Sequence, residues 1–121
     1  MKNGKILNEK FFENGYLIEK NILSKKNQNL ILDLLSDNLK KFEKYIGYKN
    51  INRDSWKSSK FTNKLMKFKN KHKESFSFYY DTVQGSVLLK KIASDIRILN
   101  KVSGMLRIPI TSIAHSTIIA R

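Results

Sequence analysis

The sequence predicts an α+β chain, with a helical region over residues about 8–104 followed by a core strand over about 106–121. Three observations carry that expectation. Apolar residues recur with helical period between Leu30 and Ile46. β-Branched residues crowd the segment after Pro109, and Tyr16, Leu17, Ile18 and Glu19 have the composition of a short strand.

In chain order, Asn8 is placed to cap a first helix, with Leu7 and Phe12 positioned as a hydrophobic staple. Gly15 supplies a left-handed stop after Asn14. Ser24 caps a long helix whose stripe runs through Leu30, Ile31, Leu34, Leu35, Phe42, Tyr45 and Ile46, and Gly47 closes it. YKNINRDSWKSSK then reads as a polar connector without a period. A further helix starts near Ser59, because Phe61, Leu65, Phe68 and His72 recur at intervals of four, three and four. SFSFYYDTVQGS reads as an aromatic turn region. Ser86 caps a helix carrying Val87, Leu88, Leu89 and Ile92, and Ser94 caps another that runs through Ile96, Leu99 and Val102 to Gly104. Pro109 forbids further helix, and ITSIAHSTIIAR follows as a strand with Ile113, His115, Thr117, Ile119 and Arg121 on one face. One short and one long strand build no stable sheet, so the expectation is that further strands follow Arg121 in a longer protein.

The chain has 24 Lys and Arg against 10 Asp and Glu, a net charge of +14, and no cysteine. Disulfides, cysteine-held zinc and cysteine catalysis are therefore excluded. The polar start MKNGKILNEK lacks the apolar core of a signal peptide, and no run approaches the ~18 apolar residues of a membrane span. A cytoplasmic protein without a membrane span is expected.

Twelve of the basic residues fall between Lys40 and Lys73, against only Glu43 and Asp54, with Phe42, Tyr45, Tyr48, Trp56, Phe61 and Phe68 interleaved. Such a block suits a nucleic-acid-binding module over residues 40–73, using aromatic stacking on single strands, or an anionic membrane face. The competing reading puts the aromatics in the core with lysines around the rim. Spacing favours the latter, since Phe61 and Phe68 share a stripe with Leu65. Lysine also accompanies 12 asparagines and many isoleucines, a combination that A/T-rich coding produces without selection for binding. Arginine, the better phosphate ligand, occurs at only Arg53, Arg97, Arg107 and Arg121.

The order FFENGYLIEKNILS, long amphipathic helix, helical region ending KKIASDIRILNKVSGML, and strand beginning near RIPITSIAHSTIIAR resembles the N-terminal portion of phytanoyl-CoA dioxygenase-like proteins. These are Fe(II)- and 2-oxoglutarate-dependent oxygenases. The resemblance implies the first strands of a double-stranded β-helix, or jelly-roll, core in a truncated chain. It also implies iron held by a His-x-Asp or His-x-Glu pair and a distal histidine, leaving positions open for cosubstrate and oxygen. Residues 1–121 would then be the N-terminal part of a single oxygenase domain that hydroxylates a small-molecule substrate. The chain departs from the pattern at the iron ligands. His115 is followed by Ser116 and Thr117, and His72-Lys73-Glu74 spells His-x-Glu only within a lysine-rich stretch read as helix. Residues two apart on a helix point about 200° apart and cannot chelate one ion. No catalytic and no metal residue is therefore expected in this chain, which would be inactive alone and hold neither cofactor. The face carrying His115, Thr117 and Arg121 is the expected 2-oxoglutarate side of the core strand, with Arg121 the carboxylate partner.

Overall fold

A computed structural model describes residues 9–113. Helix follows helix along them: α1 (residues 9–14), α2 (Lys25–Leu39), α3 (Glu43–Ile46), α4 (Ser59–Lys71), α5 (Lys73–Gln84), α6 (Val87–Ala93) and α7 (Ile96–Leu106). Short 3-10 segments occupy Lys40–Phe42, Arg53–Lys57 and Ile110–Ser112. Among the described residues there is no strand, so the α+β expectation, with its jelly-roll strands, is corrected to an all-α architecture. Among them too, no helix is long and apolar enough to cross a membrane.

Where the described residues cover the expected strands, neither forms, for the same physical reason: β-propensity describes fit to a neighbouring strand, and among the described residues there is none. Tyr16 to Glu19 form a non-helical link, in which Ile18 is 75% exposed. The start of the expected core strand is the end of α7. There Arg107 adopts the left-handed conformation at φ 56°, the Ser103 hydroxyl donates to the Ile108 carbonyl, and Pro109 leads into the Ile110–Ser112 turn. The remainder of that strand, including His115, Thr117 and Arg121, lies outside the described residues, as do Leu7 and Asn8.

Local punctuation follows the sequence more closely. Gly15 and Gly47 take φ of 75° and 72°, and their N–H groups close the preceding helices on the Phe11 and Glu43 carbonyls. The Ser24 and Ser86 side chains accept from the N–H groups of Asn27 and Leu89. α4 begins where the period placed it, capped by Ser58. Asp95, rather than Ser94, caps α7, its carboxylate accepting from the Arg97 N–H at 2.9 Å. SFSFYYDTVQGS is mostly helix α5 instead of a turn, because Phe76, Tyr79, Tyr80 and Val83 carry a helical period that hydroxyl and aromatic composition masked.

The core lies where α2, α3, α4 and α5 meet. Leu39, Ile51 and Phe61 are wholly buried and Phe68 nearly so, with Ile46, Tyr79 and Val83 completing the cluster. Phe61 is clamped edge-on by Tyr48 and Trp56, each with its ring centre 5.1 Å away. Phe42 leans on Phe68 at 5.5 Å.

Candidate functional site

The segment between α3 and α4 was expected to be a structureless connector, and it is instead an ordered bracket. Asn52 and Ser55 form a capping box around the Arg53–Lys57 turn, each side chain bonding the other's backbone region. Ile51 is inserted into the core, and its N–H donates to Glu43 Oε1 at 3.1 Å. Arg53 reaches back to α2 with a two-pronged contact to Asp33, at 2.9 and 2.6 Å. That guanidinium, chiefly through its hydrogen bonds, holds the Asp33 carboxyl below its ordinary range. Trp56 Nε1–H donates to the buried Ser36 hydroxyl at 2.8 Å, which itself donates to the Leu32 carbonyl at 2.7 Å. The pairing Asn52-x-x-Ser55 was the sequence signal for this order.

The bracket fixes the position of α4, a 13-residue helix with five lysines and no carboxylate. Its apolar stripe, Phe61, Leu65 and Phe68, faces the core. Lys60, Lys64, Lys67 and Lys71 recur at intervals of four, three and four, which at 100° per residue confines them to an arc of roughly 60° beside that stripe. Lys64 is half-buried and donates to the Gly47 carbonyl at 2.6 Å, while Lys60, Lys67 and Lys71 are exposed. Lys69 lies on another face, over the Phe76 ring at 5.6 Å. Like charges at these spacings destabilise a helix, so the row costs stability in the isolated protein. The carboxylates of the surrounding stretch are engaged elsewhere: Glu43 by Ile51, and Asp54 by Lys57 at 3.6 Å.

The interleaved aromatics do not join that surface. Phe61 and Phe68 are core, Phe42, Tyr48 and Trp56 are half-buried against it, and only Tyr45 of the six is exposed, its edge 4.9 Å from the His72 ring. A stacking platform for single-stranded bases is therefore reduced to one ring.

His72 ends α4 and precedes α5, at φ −122° and ψ 62°, rather than standing inside one helix as its surroundings suggested. Its imidazole lies against Tyr45 and Phe68, whereas Glu74 is exposed in the first turn of α5. No group of three His, Cys, Asp or Glu converges on one point among the described residues. These residues do not fit an iron centre, and no reaction step is derived through one.

A groove of about 1160 Å³ opens between α2, α4 and α5, lined by Ile31, Leu35, Trp56, Leu65, Phe76 and Tyr80 among others. Tyr79 borders it, with its hydroxyl on the Leu35 carbonyl at 3.2 Å and its ionisation pushed far up by burial. It is a hydrogen-bond donor there and no acid or base near neutral pH.

Compared with protein-family models, with curated proteins and with solved structures, the chain finds no match in any of the three.

Proposed function

We propose that the chain is the helical N-terminal portion of a phytanoyl-CoA dioxygenase-like oxygenase. In the cytoplasm, joined to a catalytic part that binds Fe(II) and 2-oxoglutarate, it would serve hydroxylation of a small-molecule substrate. One observation supports this reading: the order of α1, the left-handed Gly15, a non-helical link and a long helix capped by Ser24. It is the order that the resemblance of Phe11 to Ser24 requires, although the link pairs with no strand. The helices α2, α4 and α5 then act as scaffold, and no described residue is assigned a catalytic role.

The reading frame beyond Arg121 tests the reading. It should continue and, within about 10 to 30 codons, a strand end, a loop and a new strand, encode His-x-Asp or His-x-Glu. A stop codon directly after Arg121, with a cooperatively folded 121-residue product, would overturn it.

A further inference from the structure

From the lysine row on α4, we propose a binding surface for the phosphate backbone of duplex nucleic acid, independent of the oxygenase reading. Lys60, Lys64, Lys67 and Lys71 lie along one side of α4, eleven residue steps from first to last, or about 16 Å at 1.5 Å per residue. A row of this length is comparable with the width of the duplex major groove, about 12 Å, so it reaches phosphates on both edges of that groove. The row is rigid because α4 is anchored on both flanks. Phe61 and Phe68 are in the core, and Lys64 is held on the Gly47 carbonyl. No carboxylate stands on α4 itself, Asp54 is paired with Lys57, and the exposed Glu74 follows three residues after Lys71. A polyanion would relieve the like-charge repulsion along the helix.

Two alternatives fit the geometry less well. Single strands are held by stacking bases on exposed rings, and of the six aromatics interleaved with the basic block only Tyr45 is exposed. An interfacial membrane helix must bury its apolar stripe in lipid, but that stripe on α4 is already packed against Leu39 and its neighbours in the core. Lysine in place of arginine suits the same conclusion: contacts to phosphate as point charges, without base readout.

The test is fluorescence anisotropy with a labelled, random-sequence DNA duplex, titrated at several salt concentrations. The wild-type chain should bind at low salt, with log affinity falling against log salt at a slope of about −3, since Lys60, Lys67 and Lys71 would each contribute about −0.9. The triple variant Lys60→Gln, Lys67→Gln, Lys71→Gln should lose roughly tenfold or more in affinity and flatten that slope by about 3. A control triple, Lys25→Gln, Lys26→Gln, Lys90→Gln, removes the same charge from exposed positions on α2 and α6 and should keep both affinity and slope. Circular dichroism establishes that all three proteins are folded. Equal weakening by both triples would reduce the effect to net charge and overturn the proposal. So would tighter binding to a single-stranded oligonucleotide or to phosphatidylserine vesicles than to the duplex, or no binding at low salt.

Discussion

Among the described residues, Leu39 and Ile51 are the two aliphatic residues wholly removed from water, and neither stood out in the sequence. Of the stripe that was legible, Leu34, Leu35 and Phe42 border the core and Ile46 enters it, whereas Tyr45 is 58% exposed. The helix tightens to 3-10 geometry at Lys40–Phe42, which shifts the phase of every later side chain. Ile51 was hidden because its neighbours are polar, and single apolar residues in a loop carry no period. Leu39→Ala should therefore cost about 2–5 kcal/mol in chemical denaturation, the range for emptying a buried leucine site. Trp56→Phe keeps the ring against Phe61 but leaves the Ser36 hydroxyl without its donor, for a loss of about 0.5–1.5 kcal/mol in the same measurement. The carboxyls of Asp33 and Asp95 are held below their ordinary range by hydrogen bonds from Arg53 and Arg97. A carboxyl lowered in the folded state stabilises it above the unfolded value near 4, and that contribution is lost as pH falls through the folded value. Urea midpoints should thus decline as pH drops below about 4, and Asp33→Asn should shallow the decline.

At the scale of elements, caps were readable and extended segments were not. Ser24, Ser86, Gly15 and Gly47 act locally, through one side chain or one backbone angle, so their signals survive without knowledge of the fold. A strand depends on a partner that a short stretch of sequence does not name, and Tyr16 to Glu19 and residues 106–113 were misread for that reason. α5 was missed in the opposite way. Its helical period was present at Phe76, Tyr79, Tyr80 and Val83, but the aromatic and serine content drew attention to turn formation. Gly47 ties the elements together, ending α3 in the left-handed conformation while its carbonyl receives Lys64 from α4. A Cβ at this glycine would meet nothing within 4 Å, so Gly47→Ala is a purely conformational change. It should cost about 1 kcal/mol, read as a fall of roughly 4 °C in melting temperature.

For the whole molecule, the site expected from resemblance lies outside the described residues, and the core lies within them. His115, Thr117 and Arg121 fall beyond residue 113, while the packed core runs from α2 to α5. The basic block was visible as composition, but its division into a lysine row and a buried aromatic stripe needed the fold to separate them. The central proposal is that these helices are the scaffold of an oxygenase whose iron ligands lie elsewhere, and Fe(II) binding tests it most directly. The 121-residue chain and the product of the full reading frame should be titrated anaerobically with Fe(II), with and without 2-oxoglutarate. One iron per chain is expected for the longer protein, lost on substitution of its additional histidines, with no stoichiometric binding by residues 1–121. Stoichiometric iron on the 121-residue chain abolished by His115→Ala, or a longer protein that binds none, would contradict it.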